Sequence, residues 1–114
     1  MLTKTLRMKR NTQFSYVFKK GQMFKAKGLM MIVAPKRYKT QKIGLVVTKK
    51  IGKSVVRNHV KRLIRESIRV HLSLISPTLD LIIVARQGVE SATFQEINKT
   101  ILELLKKSNA LNES

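Results

Sequence analysis

The spacing of apolar positions changes several times along this chain, and each change marks an element. Between Asn11 and Lys20, Phe14, Val17 and Phe18 recur at three- and four-residue intervals, which places them on one face of a helix. Asn11 or Thr12 is predicted to cap this helix, and Gly21 to end it at the C′ position. Residues 22–34 read as two extended stretches broken near Lys27-Gly28, the second (Leu29–Ala34) almost wholly apolar. Pro35–Lys42 is a polar, basic connection, and Ile43–Thr48 a Val-rich strand in which Gly44 permits close backbone approach. A loop over Lys49–Lys53 leads to Ser54, the expected N-cap of a long helix reaching about Leu72 or Leu74 before a break at Pro77. Leu79–Ala85 is a buried strand. Thr93-Phe94-Gln95-Glu96 has capping-box spacing and opens a last helix that turns Phe94, Ile97, Ile101, Leu104 and Leu105 inward. Residues 1–10 form a basic arm with Leu6 and Met8 as anchoring points, and the tail after Lys107, about 108–114, is expected to fray. The order αβββαβα predicts an α+β fold, a two-layer sandwich on one four-stranded sheet. The chain has 114 residues, enough for one domain, 1–114, and too few for two ordinary ones.

Within the long helix, Arg57, Lys61 and Arg65 stack at four-residue spacing, with Asn58, Arg62 and Arg69 beside them. Val56, Val60, Leu63 and Val70 fall on the opposite side, and Ile64 and Ile68 at its margin. Arg57 lies in the first turn, where the helix dipole makes a cation unfavourable by roughly a few tenths of a kcal/mol. A cation there makes sense where an anion arrives, because the free N–H groups of a helix start attract phosphate.

Charge sharpens this reading. The net charge is +18, and it is segregated: residues 1–69 hold 20 basic side chains and one acid, Glu66, whereas residues 70–114 hold four basic and five acidic. Charge that served only solubility would be spread evenly; a polyanion-binding face is concentrated. Such self-repulsion also predicts a free protein that is only marginally folded at low ionic strength.

Other chemistries are poorly supported. The chain has no cysteine, which removes disulfides, thiolate catalysis and Cys-based zinc sites. His59 and His71 have no acid at ligand spacing, so no tightly held metal is expected on the protein alone. No apolar run is long enough for a membrane span, and no signal-peptide core follows the basic start; a soluble, cytoplasmic protein without membrane contact is expected. Gly52-Lys53-Ser54 suggests a phosphate loop, but that signature needs a glycine at position 47, which is Val. The aromatic strand signature of the common RNA-recognition sheet and the G-x-x-G clamp are missing. No Ser–His–Asp or paired-carboxylate arrangement is evident. Glu66 reads as a solvated residue or an ion-pair partner of Arg62, and His59 as a surface or RNA contact rather than a base. By residue chemistry alone, the chain binds a nucleic-acid backbone through a helix and the loop before it.

The stretch Lys42–Arg69, K-I-G-L-V-V-T-K-K-I-G-K-S-V-V-R-N-H-V-K-R-L-I-R-E-S-I-R, closely resembles the signature of the bacterial ribonuclease P protein subunit. The likeness continues in N-x-x-F-x-x-V-F-K-x-G over Asn11–Gly21 and D-x-I-I-x-A-R over Asp80–Arg86. The resemblance implies a protein cofactor of an RNA enzyme that removes the 5′ leader from precursor tRNA, with catalysis by the RNA subunit and its magnesium ions. It also implies a mixed sheet with a left-handed βαβ crossover, against the usual hand, and a protein that is monomeric when free. Carried over by residue, it assigns Arg57, Asn58, Lys61, Arg62 and Arg65, extended along the same face to Arg69, and Lys49, Lys50 and Lys53, to the catalytic RNA. Phe14 and Phe18 match aromatic positions of a cleft for the single-stranded leader. A further cleft position, often aromatic in the family, is Ile32 here, preceded by Met30 and Met31, so a softer apolar contact is expected; Phe24 is a candidate to compensate. The rival readings are core packing for Phe14 and Phe18 and, for the whole chain, a ribosomal or assembly protein or a DNA regulator. The last would need two adjacent helices joined by a short turn, whereas strands are predicted on both sides of the basic helix.

Overall fold

The computed structural model describes residues 7–37 and 39–111. Its helices are α1 (Asn11–Lys20), α2 (Ser54–His71) and α3 (Phe94–Lys107), and its strands β1 (Gln22–Ala26), β2 (Leu29–Pro35), β3 (Ile43–Val46) and β4 (Leu79–Ala85). The strands form one mixed sheet in the order β1-β2-β4-β3, antiparallel except for the pair β3–β4. The expected α+β order is therefore observed, with α2 running between the two parallel strands.

The apolar runs of β2 and β4 follow from burial on both faces. Leu29, Met31 and Val33 of β2 and Leu81, Ile83 and Ala85 of β4 join the main core with Val60, Ile64 and Ile68 of α2 and Ile97, Ile101, Leu104 and Leu105 of α3. The alternate residues Ile32, Ala34 and Ile82 meet Val17 of α1 and Met8 on the other face. A single ten-residue helix cannot cover that face, so Met30, Val46 and Val84 remain half-buried beside it.

Several local expectations are corrected. Arg10, not Asn11 or Thr12, occupies the cap position of α1, and the Gln13 side chain folds back to accept from the backbone N–H groups of Lys9 (2.9 Å) and Arg10 (3.1 Å). Gly21 is extended (φ −82°) rather than left-handed. It is small because a Cβ there would lie 2.5 Å from the Val17 carbonyl oxygen and 2.6 Å from Ile32 Cγ2. On α2 the inward stripe runs through Val60, Ile64, Ser67, Ile68 and His71, so Ile64 and Ile68 are central rather than marginal, and Val70 is 54% exposed. The stripe includes polar Ser67 because its hydroxyl donates to Asn98 Oδ1 of α3 at 2.7 Å. Residues 108–111 are held in place, while 112–114 lie outside the described residues: Ala110 is buried, its carbonyl accepts from Ser76 N–H at 2.7 Å, and Leu111 bridges to Ile75. The Thr93/Glu96 capping box forms as expected, with reciprocal bonds of 3.2 and 2.9 Å. Leu6 lies outside the described residues; Met8 is buried and its N–H donates to the Ile43 carbonyl at 2.9 Å, tying the arm to the free edge of β3.

Candidate nucleic-acid interface

Lys49 and Lys50 sit on a short 3-10 turn (Lys49–Ile51) anchored by buried Ile51, with both lysines exposed. Lys53, not Ser54, is the cap residue of α2, and it makes no side-chain capping bond. A lysine ammonium can only donate, so it cannot satisfy the first N–H groups of the helix. Instead Ser54 lies within the first turn and its hydroxyl accepts from Arg57 Nη2 at 3.4 Å. The start of α2 thus presents uncapped N–H groups beside Lys49, Lys50, Lys53 and Arg57, an arrangement suited to phosphate oxygens.

Along α2 the expected cations divide into two groups. Arg57, Lys61 and Arg65 are half-buried, while Asn58, Arg62 and Arg69 are exposed. Lys61 and Arg65 line a cavity of about 220 Å³ with Arg7, Met8, Lys9, Ile43 and Leu45. Burial, followed by the charge of Arg7, holds the Arg65 guanidinium below its usual pKa. No acidic side chain lines this cavity. The exposed group is partly tied up within the helix: Arg69 Nη2 bonds Glu66 Oε2 at 3.0 Å, and Arg62 Nη2 lies 3.3 Å from His59 Nδ1. Glu66 is therefore the partner of Arg69 rather than Arg62, and that contact holds its carboxyl below the usual range.

The opposite sheet face carries the apolar surface beside α1. Phe14 is half-buried and reaches over β3, where a Cβ on Gly44 would come within 2.6 Å of its Cε1; the glycine makes room for the ring. Phe18 is 46% exposed. Ile32 departs from expectation: at 1% exposed it lies beneath α1, whereas Met30, Val84 and Val46, register partners across three strands, are half-buried on the same face. Met23, paired with Ile32 and 55% exposed, extends the apolar surface at the β1 edge. Phe24 pairs with Met31 and packs into the main core on the other face, so it does not serve the apolar surface beside α1. Near the top of these strands, Lys27, Lys50 and Arg86 meet around a depression of about 440 Å³. Arg7, Lys27, Arg86 and Met23 are thus brought to the two surfaces by tertiary structure; only Arg86 stood in a sequence motif that pointed to it.

The family whose model describes ribonuclease P matches residues 2–109. The chain belongs to the ribonuclease P protein family. The ribonuclease P protein component of Alkaliphilus oremlandii is 38% identical over 108 residues, covering 95% of each chain. That of Clostridium botulinum is 36% identical over 107 residues, covering 93% of this chain and 96% of the relative. The solved RNase P protein of Staphylococcus aureus superposes with a TM-score of 0.85 at 31% identity, covering 94% of this chain and 98% of the other. Family membership thus rests on the whole fold, including the arm and α3, and not on the basic helix alone.

Among the described residues no group of three or more His, Asp or Glu side chains comes together to hold a metal ion. The basic surfaces themselves offer ammonium and guanidinium groups, which donate hydrogen bonds and do not ligate a cation. No helix among the described residues is long and apolar enough to cross a membrane.

Proposed function

We propose that this chain is the RNA-binding subunit of ribonuclease P, assisting endonucleolytic removal of the 5′ leader from precursor tRNA. The observation that carries the proposal is the pairing of two unlike surfaces on one small body. The uncapped start of α2 with Lys49, Lys50, Lys53 and Arg57 offers N–H groups and charge to phosphate. The apolar face beside α1 offers the exposed side chains Phe18 and Met23.

In this reading the catalytic RNA sits against Arg57, Asn58, Lys61, Arg62, Arg65 and Arg69 and the lysine turn. Arginine forks hold phosphate bidentately, lysines add point charge, and Asn58 both donates and accepts at a base or ribose edge. Neutralising phosphates where two RNAs crowd together lowers the magnesium needed for activity; the metal and the cut belong to the RNA. The apolar face holds the single-stranded leader through stacking and backbone charge, largely without reading sequence, so it favours precursor over mature tRNA. The reading extends to a free protein that is monomeric, because like surfaces of a chain with net charge +18 repel, and cytoplasmic, the compartment of its proposed RNA partners.

Reconstitution tests it. At low magnesium, the protein added to a ribonuclease P RNA is expected to restore leader removal, whereas the protein alone leaves the precursor intact. A reconstituted mixture no more active than the RNA alone would refute the proposal, and cleavage by the isolated protein would refute the division of labour.

A further inference from the structure

The Pro35–Lys42 connection reads in sequence as a polar, basic loop, yet the fold pins both of its ends. Asp80, 3% exposed, accepts from the backbone N–H groups of Lys42 (2.8 Å) and Arg37 (3.5 Å). Gln41, also buried, donates through Nε2 to the carbonyls of Ser76 (2.7 Å) and Leu79 (2.6 Å). Lys36 N–H donates to the Thr78 carbonyl at 2.9 Å. Two polar side chains have therefore been taken out of water to hold a surface loop, and burial is costly enough to push the Asp80 carboxyl above its ordinary pKa.

What this anchoring delivers is charge. The Arg37 guanidinium carbon is held 5.4 Å from the Tyr16 ring centroid, and the Tyr16 hydroxyl donates to the Pro35 carbonyl at 3.1 Å, joining the loop to α1. Between them lies an open depression of about 500 Å³ whose lining includes Thr12, Ser15, Tyr16, Lys19, Lys20 and Arg37, and no acid. Lys36 and Lys39 of the same loop are exposed, the Lys36 ammonium donating to the Lys39 carbonyl at 3.0 Å. The depression occupies the flank of α1 towards the start of β4, whereas the leader surface occupies the flank towards the ends of β3 and β4.

We propose that this flank of α1 is a second phosphate-binding surface that takes a backbone segment of the catalytic RNA. The inference rests on the reading that the chain is seated on that RNA through α2. Tyr16 has one ring face under Arg37 and its hydroxyl engaged, so the surface offers cations and hydroxyls but few exposed apolar planes. That suits the backbone of folded RNA, whose bases are already stacked, and contrasts with the leader surface, where exposed Phe18 suits a single strand. Asp80 acts as a positioning residue. The seven residues of β4 separate the surface from the Lys49–Lys53 turn by roughly 20 Å, so one folded RNA can reach both. A second hold on an RNA already bound gains from high effective concentration and needs little affinity of its own.

The test is binding of the whole protein to ribonuclease P RNA across a salt series, comparing the wild type with Lys19→Ala/Lys20→Ala/Arg37→Ala. The expected result is affinity about tenfold weaker at moderate salt and a log–log salt slope shallower by about two. The preference for precursor over mature tRNA should be unchanged, and Lys19→Arg/Lys20→Arg with native Arg37 should bind as the wild type does. Unchanged affinity and slope in the triple variant would overturn the inference, as would a loss seen with precursor tRNA alone and not with the catalytic RNA. An Arg57→Ala/Lys61→Ala/Arg65→Ala variant run alongside separates the two failures: if it too binds normally, the underlying seat on α2 is wrong, and both readings fall together.

Discussion

Truncating Phe18 separates a stacking platform from a piece of core. A phenylalanine side chain fully removed from water buries on the order of 200 Å². Phe18 is 46% exposed, so only about half of that, roughly 100 Å², is lost to water in Phe18→Ala. At about 25 cal/mol per Å² the stability cost is about 2.5 kcal/mol, an upper bound because the unfolded chain buries some of the same area. Phe14 is more deeply set against Gly44 and Met8, so Phe14→Ala should cost more, about 3 kcal/mol, at the lower end of the range for buried aromatics. Binding should rank the other way. If Phe18 stacks a leader base, its loss weakens the precursor by about 1–3 kcal/mol, or roughly 5- to 150-fold in Kd, and leaves mature tRNA unaffected. Urea denaturation gives the first quantity, and anisotropy of labelled precursor and mature tRNA on the reconstituted particle gives the second. A Phe18→Ala protein that loses about 3–5 kcal/mol of stability yet distinguishes precursor from mature tRNA as before would show that the ring is packing and not a platform.

Other outcomes follow from the same structure. Replacing Arg57, Lys61 and Arg65 together by Ala should flatten the salt dependence of catalytic-RNA binding by roughly 0.7–0.9 log units per lost phosphate contact; a slope equal to wild type would remove these side chains from the interface. Phosphate should raise the melting temperature more than chloride at equal ionic strength, because the cavity between Arg7, Lys61 and Arg65 has no acid in its lining. Arg65→Ala should abolish most of that difference, and a melting curve indifferent to phosphate would contradict the reading. The bonds from the Thr93 backbone N–H and hydroxyl hold the Glu96 carboxyl below its ordinary pKa. Its contribution is therefore fully present above the ordinary carboxylate range and is lost as pH falls through the lowered folded value. Comparing wild type with Glu96→Gln by urea denaturation between pH 2.5 and 7 (roughly the carboxylate range) should show the wild-type advantage only at the upper end. Burial acts oppositely on Asp80, raising its pKa, so ionising it costs stability as pH rises from the ordinary carboxylate range through the folded value. Asp80→Asn should show less of that decline, and an identical pH profile would deny the carboxylate its buried position.

Much of this protein is written locally. The period of apolar residues placed the three helices and four strands of the described residues, because a helix must bury a stripe and a doubly covered strand must be apolar throughout. Cations at four-residue spacing, counted against a single acid in the first 69 residues, were enough to mark α2 as the candidate anion-binding helix. What the sequence could not supply were facts that depend on which residues meet across the fold. Val70 has the same chemistry as Val60, but the rotation of α2 against α3 leaves one exposed and buries the other, with Ser67 tolerated inside because Asn98 is opposite. Ile32 and Met30 share one strand and one face, and the crossing line of α1 alone decides that the first is covered and the second stays half-buried beside it. Arg7 comes to Arg65 only through pairing of the arm with β3, and Arg37 to Tyr16 only because Asp80 and Gln41, distant in sequence, hold the loop. Composition and periodicity determine what each segment must bury or expose; the partners, and so the shape of the candidate RNA-binding surfaces, are decided when long-range packing chooses among segments that are locally alike.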